Sequence, residues 1–404
     1  MQTEESDPRV IGKRLAEARK ARGLTQEQAA EHLGCSRPTL IAIEKGDRQA
    51  KAEELAKLAS HYGRSIHEIV RPGAQPVALV PHLRAVVEPT FAAREELNDA
   101  IGELQRFADD YRELERIIGA KPVGVHAPTV LLPKRGSLKD FAEDVATRER
   151  ERLGLGTQPV LHLRRVLESE LGLRVFYWNL PSSVAGMFAN VADLGFCILI
   201  NRKHPAERRR ATLAHEYGHA VSPDRHKPGI DYLDGNGRKP QNERFAEAFG
   251  LSFLMPARGV RRKFHEITAS TGDFQVADLC RLSNYYFVAL QAMTLRLEEL
   301  GLVGRGTWDM LKEKKLRARA AAKELGLQPR GTRTTDPYPE RYKYLAVQAF
   351  QMGRISEGQL CRFLRSDRVT VRGIVAQCTS HRFVDEGGEV REQCLLFEDS
   401  LLQH

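Results

Sequence analysis

Along this chain apolar and polar positions follow two periods, and the helical one dominates. Between Pro8 and Val70 apolar residues recur every three to four positions in five short amphipathic segments. Arg71-Pro72-Gly73-Ala74-Gln75-Pro76 follows and reads as a linker, because its prolines and glycine break helix and strand alike. A longer stretch, about Glu88 to Gly119, places Leu97, Ile101, Leu104, Ala108, Tyr111, Leu114 and Ile118 near heptad spacing. That pattern suits a dimerisation helix and, equally, a helix packed on its own domain. Lys121 to Ser137 holds three prolines and no clear period. Helices are then predicted over Leu138–Leu153 and Val160–Leu171. Leu173–Tyr177 and Gly195–Ile200, rich in β-branched and aromatic residues, are predicted as strands. Pro205–Val221 and Gln241–Leu254 are predicted helices, the second stopped by Pro256. The remainder reads as helical: Val260–Thr271, Gln275–Leu282, Tyr286–Leu300, Trp308–Leu325, Pro339–Met352, and two short helices between Glu357 and Val375. No internal repeat of long period is visible.

The expected fold is therefore mainly α with a small α+β core. Four regions follow: a five-helix domain over residues 8–72, a helical linker over 73–137, the α+β domain over 138–305, and a helical C-terminal module over 306–404. Composition changes this picture little. With 42% hydrophobic and 28% charged residues the chain is ordinary globular protein, not disorder. No run reaches the roughly 18 apolar residues of a membrane span. Met1 to Pro8 is acidic and polar, unlike a secretory signal. Single cysteines at 35, 197, 280, 361, 378 and 394 read as reduced thiols, so a cytoplasmic location is expected. The formal charge of +9 hints at a polyanionic partner without establishing one.

The first candidate chemistry lies in Leu24-Thr25-Gln26-Glu27-Gln28-Ala29-Ala30-Glu31-His32-Leu33-Gly34. Thr25 is a good N-cap and Gln28 completes a capping box. Gly34 suits the left-handed residue that ends the helix. Ser36 then caps a second helix, Arg37 to Lys45, with Leu40, Ile41 and Ile43 available to a core. So short a turn presents the second helix outward, with Arg37 and Thr39 in its first turn and Lys45 at its far end. Such a helix fits the major groove, where arginine reads guanine and threonine meets bases or thymine methyls. Gln26 and Ser36, at helix N-termini, are placed to hold phosphates.

The same residues carry a resemblance. Ile11-Gly12-x-Arg14-Leu15, Gly23-Leu24-Thr25-Gln26, Leu33-Gly34, Ser36, Ile43-Glu44-x-Gly46 and Leu58-Ala59 resemble the Cro/C1-type (XRE) helix-turn-helix family over residues 9–70. The resemblance implies that Gln26, Ser36, Arg37 and Thr39 contact DNA, and that a homodimer binds a two-fold double-stranded operator. Two departures are Ala29, where the family has a larger aliphatic residue, and Pro38 in the recognition helix's first turn, where a missing N–H costs little.

The second candidate is His215-Glu216-Tyr217-Gly218-His219. Two histidines four apart on a helix project from one face, a spacing that lets both imidazoles bind one tetrahedral Zn²⁺. Glu216 between them is placed as a general base. Apolar flanks, Leu213-Ala214 and Ala220-Val221, suit a helix buried in a core. The metzincin register for a third ligand fails, since Ser222, Arg225 and His226 stand there. A carboxylate from the next helix is the other common solution, and spacing leaves both Glu243 and Glu247 open.

Leu213-Ala214-His215-Glu216-Tyr217-Gly218-His219, followed by Asn242-Glu243-x-x-Ala246-x-x-Phe249-x-x-x-Phe253-Leu254-Met255-Pro256, resembles the ImmA/IrrE (DUF955) metallopeptidase family. Phe287 to Leu302 is similar to the helix that closes the family's domain, so the resemblance covers about Leu138 to Val303. It implies a zincin-like α+β core and a third ligand at Glu243. Glu247 stands where the family has Asn, and Gly250 where Ala is usual. The order of the two resemblances is that of fused regulators of this type. Two functions are then open: a regulator whose peptidase cleaves a protein substrate, such as a partner regulator or antitoxin, or a non-proteolytic repressor or antitoxin that uses the fold to sense a ligand.

Weaker signals remain. Gly353-x-Ile355-Ser356-Glu357-Gly358-Gln359-Leu360 to Val375 has a helix-turn-helix rhythm. It fits a second recognition unit, a partner-docking module, or helices packed on the peptidase domain, and rhythm alone favours the last. Cys378 with His381, plus distant Cys394 and His404, makes a poor metal set. The basic run Arg208 to Arg210 reads as a solvated helix face.

Overall fold

The computed structural model describes residues 7–62, 69–70, 83, 93–121, 127–191, 195–223, 227–232, 239–328, 336–379, 382–384 and 390–392. The chain divides into two compact units, Met1–Asp109 with Val123–Pro337, and Asp110–Pro122 with Tyr338–His404.

Four N-terminal helices form where the apolar period places them: α1 (Pro8–Ala21), α2 (Gln26–Leu33), α3 (Arg37–Lys45) and α4 (Ala52–His61). The fifth expected helix falls on residues outside the described ones, apart from helical Ile69 and Val70. Leu15, Ala29, Leu40, Ile43, Leu58 and Ala59 make their shared core. The N-cap oxygen of Thr25 accepts from the backbone of Gln28 and the Gln28 side chain returns the bond, so the capping box is formed as predicted. Gly34 closes α2 in the left-handed conformation at φ 73°. Gly12 lets α1 cross α3 closely, since a Cβ there would lie 2.4 Å from the Ile43 carbonyl oxygen. The crossing is fastened by a buried ion pair: Arg19 donates to both oxygens of Glu44, at 2.6 and 3.0 Å.

The long helix α5 (Arg94–Ile118) is present. Its heptad-like stripe, Leu97, Ile101, Leu104, Ala108, Tyr111 and Leu114, is buried within the chain itself. Phe107 on the same helix stacks on Phe176 at 4.7 Å. The apolar stripe of α5 is thus covered by the chain itself.

The α+β region runs α6 (Leu138–Arg152), α7 (Leu163–Ser169), β1 (Arg174–Trp178), β2 (Val184–Val191), β3 (Gly195–Asn201), α8 (Ala206–Val221), β4 (Gly229–Tyr232) and α9 (Gln241–Leu254). The four strands form one mixed sheet in the order β1-β3-β2-β4, with β1 parallel to β3 and the other pairs antiparallel. Two strands go beyond the sequence expectation. In β2, Val184, Ala185, Met187, Phe188 and Ala189 are all buried, so no polar alternation marks it. β4 has four residues only, too short to show a period.

Helices α10 (Ala257–Thr271), α11 (Val276–Tyr286), α12 (Leu290–Glu299), α13 (Thr307–Glu313) and α14 (Ala318–Glu324) complete the unit. The helices expected over Tyr286–Leu300 and Trp308–Leu325 are each interrupted, by Phe287 at φ 54° and Lys315 at φ 53°. Non-glycine residues seldom take this conformation, and nothing local in the sequence announces it. The second unit holds α15 (Glu340–Gln351), α16 (Glu357–Phe363) and α17 (Arg368–Thr379), followed by an antiparallel pair, β5 (Arg382–Val384) and β6 (Val390–Glu392). That strand pair corrects the all-helical expectation for the C-terminal region.

Candidate functional site

Helices α8 and α9 pack at glycine. A Cβ on Gly218 would lie 2.6 Å from the Ala246 Cα, and one on Gly250 would lie 3.0 Å from the His215 backbone nitrogen. This approach brings Glu243, in the first turn of α9, over the face of α8 that carries His215 and His219. The two Nε2 atoms stand 3.0 Å apart. The Glu243 carboxylate spans them, with Oε2 3.3 Å from His215 Nε2 and Oε1 3.3 Å from His219 Nε2. Tetrahedral coordination through bonds of ~2.0–2.1 Å sets donors about 3.3 Å apart, so these three fit one small cation. Among the described residues this is the group of three donors so arranged. Glu247 points elsewhere and pairs with Lys239 at 3.0 Å, which removes it as the competing ligand.

Electrostatics favour positive charge here. Burial lowers the His215 imidazole, but its bond to Glu243 and the fields of Asp231, Glu216 and Glu243 outweigh that and raise it to about 9. At His219 the balance is reversed: burial outweighs the bond to Glu243, and the imidazole is lowered. Glu243 is held well below the carboxylate range: burial opposes this, yet the two imidazoles prevail. The cluster thus draws in a cation or a proton at neutral pH.

Glu216 is fully buried, and neither carboxylate oxygen has a hydrogen-bond partner. Burial pushes its carboxyl well above the usual value, with Asp231 and Glu243 adding to the effect against His215. Space for it is made by Gly186 on β2, whose Cβ would stand 3.1 Å from Glu216 Oε1. A buried acceptor so placed, beside three converging donors, is what a site that handles protons next to a cation requires.

Other neighbours are nonlocal. Phe188 of β2 stacks on the His219 ring at 4.6 Å and fixes its plane. Asp231, paired in the sheet with Gly186, contributes to the field at His215, and burial raises its own carboxyl. Sequence reasoning missed Asp231, because no spacing ties β4 to α8. Tyr217 turns the other way: it donates to Glu149 and meets Phe249 and Phe253 edge-on. The Arg208–Arg210 expectation needs one correction. Arg210 is buried and donates to the carbonyls of Val160 and Phe287, a core bracket. His226 and His381 lie outside the described residues.

On the N-terminal helices, Ser36, Arg37 and Lys45 are exposed. Ser36 caps α3 by accepting from the Thr39 backbone, and its hydroxyl shares a 2.8 Å bond with that of Thr39. Gln26 is half-buried and donates to Glu44 at 3.0 Å, so its amide also ties α2 to α3.

Comparison with known proteins agrees with this geometry. Residues 15–69 match the Helix-turn-helix family, and residues 168–298 match the IrrE N-terminal-like domain, Peptidase M78. The cryptic phage CTXphi transcriptional repressor RstR of Vibrio cholerae is 36% identical over 61 residues, 15% of this chain and 55% of that protein. The chain thus spans about half the length of this curated relative. Two solved structures were also found. Bacillus thuringiensis PlcR in complex with the peptide PapR7 and DNA shows 12% identity over 92% of this chain and 93% of that one, at a TM-score of 0.16. ComR from Streptococcus suis shows 11% identity over 92% and 88%, at 0.15. Superpositions that poor carry no weight for fold or function. Residues 15–69 are therefore an XRE-type helix-turn-helix domain, and downstream of it the chain carries an IrrE N-terminal-like domain of the M78 peptidase type.

Proposed function

We propose that the chain is a DNA-binding transcriptional regulator whose M78-type domain is a zinc-dependent endopeptidase acting on a partner regulator or antitoxin-like protein. The observation that carries the peptidase half is the convergence of His215, His219 and Glu243 beside a buried, unpartnered Glu216.

In this reading the two imidazoles and the Glu243 carboxylate hold Zn²⁺. When bound, Zn²⁺ supplies Lewis acidity that polarises a peptide carbonyl and acidifies water. Glu216 is the general base: its carboxylate takes the proton of the attacking water and passes it to the leaving amine nitrogen. Its placement suits this, because no other group holds either carboxylate oxygen. Phe188 keeps the His219 plane fixed, and Gly186 leaves the Glu216 carboxylate the room it occupies. At the other end, Arg37 reads base edges from the exposed first turn of α3, with Ser36 and Lys45 at phosphates of a double-stranded operator. Gln26 makes its DNA contact while tying α2 to α3, and Thr39 makes its own while sharing a hydroxyl bond with the Ser36 cap.

The test is Glu216→Gln in the full chain. Zinc content should remain at wild-type level while cleavage of the partner and signal-dependent control are lost. Normal control by this variant would sink the proteolytic reading and favour a ligand-sensing, non-proteolytic regulator.

A further inference from the structure

The C-terminal rhythm noted in the sequence becomes a residue-by-residue match once the structure is in hand. Adding 331 to each number of the first helix-turn-helix carries it onto the second unit. Thr25 becomes Ser356, and both cap a helix through the same box. The cap backbone donates to the Gln28 or Gln359 side chain at 2.9 and 2.7 Å, and the return bond is 3.2 Å in each. Gly34 becomes Arg365, and both are left-handed, at φ 73° and 42°. The turn bonds agree as well: Cys35 donates to the Ala30 carbonyl at 3.0 Å, and Ser366 to that of Cys361 at 3.1 Å.

Ser36 becomes Asp367. Each accepts from the backbone three residues on, Thr39 or Thr370. The inner face repeats too: Leu40 and Val371 are buried, and Ile43 and Glu44 correspond to Ile374 and Val375, both half-buried. Side chains alone hide the repeat, since only Gln, Leu, Arg, Thr and Ile at 28, 33, 37, 39 and 43 recur at 359, 364, 368, 370 and 374. Arg365 takes the glycine position because its guanidinium is tied to the Phe363 carbonyl at 3.2 Å and to Asp110 at 3.0 Å.

We infer that Ser356–Thr379 is a second helix-turn-helix that binds duplex DNA through α17. The inference rests on the DNA-binding reading of α3, whose Arg37 and Thr39 correspond to Arg368 and Thr370. Arg368 and Arg372 project outward, 72% and 70% exposed, and no acidic residue lies between 368 and 379. Gly373 beside them meets nothing within 4 Å, so the helix backbone can approach a duplex closely. Glu357 opposes the contact: it holds Arg372 at 2.6 Å and stands 3.9 Å from Arg368. An exposed pair of this kind is weak and exchanges readily for a phosphate. The second unit is therefore the weaker of the two, and it extends the footprint beyond the bases read by α3.

The experiment uses the full chain and duplex DNA that the wild-type protein selects from a random-sequence pool. Removing two phosphate contacts with Arg368→Ala/Arg372→Ala should reduce the slope of log affinity against log salt by about 1.8, and shorten the footprint. The wild type's advantage then shrinks about tenfold between 50 and 200 mM salt. Glu357→Gln should strengthen binding. Arg37→Ala is measured in parallel. Weaker binding by Arg37→Ala, with the double variant and Glu357→Gln both at wild-type affinity and slope, overturns the second unit and leaves the first standing. Weakening by the double variant alone supports the second unit and overturns the assignment of Arg37. A pool that yields no duplex overturns both.

Discussion

Gly218→Ala tests the geometric core of the proposed zinc site without touching one of its three candidate ligands. The added methyl carbon would stand 2.6 Å from the Ala246 Cα and 3.0 Å from both its Cβ and its carbonyl oxygen. Carbon atoms at rest keep about 3.5–4.0 Å, and the obstacle is helix backbone, so α9 must retreat by roughly 0.9 Å. Glu243 lies one turn before Ala246 on the same helix and moves with it. Its oxygens, now 3.3 Å from each imidazole nitrogen, would sit near 4 Å. Metal–ligand distances tolerate only about ±0.2 Å, so the carboxylate leaves the coordination set. The expected result is a loss of zinc affinity of at least 10–100-fold, with an overpacking cost of about 1–3 kcal/mol. Competition with a chromogenic chelator reads the first quantity, and denaturant unfolding the second. Wild-type zinc affinity in this variant would refute the argument that the α8–α9 approach sets the site.

Three further outcomes follow from the same geometry. Glu243→Ala should abolish stoichiometric zinc binding, whereas Glu247→Ala, which loses only a surface bond to Lys239, should leave it unchanged by metal analysis. Arg19→Ala leaves the buried Glu44 carboxylate with the Gln26 amide alone, and should cost about 3–5 kcal/mol in the N-terminal domain. Replacing both partners, as Arg19→Met/Glu44→Leu, should recover most of that loss in denaturant unfolding; equal destabilisation by the single and double variants would contradict it. Phe188→Ala removes a buried ring from the sheet and from His219, and should destabilise the domain by about 3–5 kcal/mol while weakening zinc retention on dilution.

Much of both sites was legible because their determinants are local. The Thr25 box, the glycine at 34 and the Ser36 cap each depend on bonds spanning two to four residues, and every one formed as read. The paired histidines are likewise a matter of helix pitch. Glu243 was harder. Its distance from His215 along the chain says nothing about which face of α9 meets α8, so spacing alone left Glu247 in contention. β2 and β4 were illegible for opposite reasons, one buried on both faces and the other too short. Asp231 could not be placed without them.

What local sequence determined, then, is most of the helices, the caps at Thr25, Gly34 and Ser36, and the facing of His215 and His219. These depend on backbone bonds and side chains within about one turn. Tertiary structure decided which carboxylate meets the imidazoles, through the glycine contacts at 218 and 250. It decided too that the α5 stripe is covered by the chain itself. Each of these depends on surfaces brought together from distant parts of the chain, and contact at that range leaves no period in the sequence.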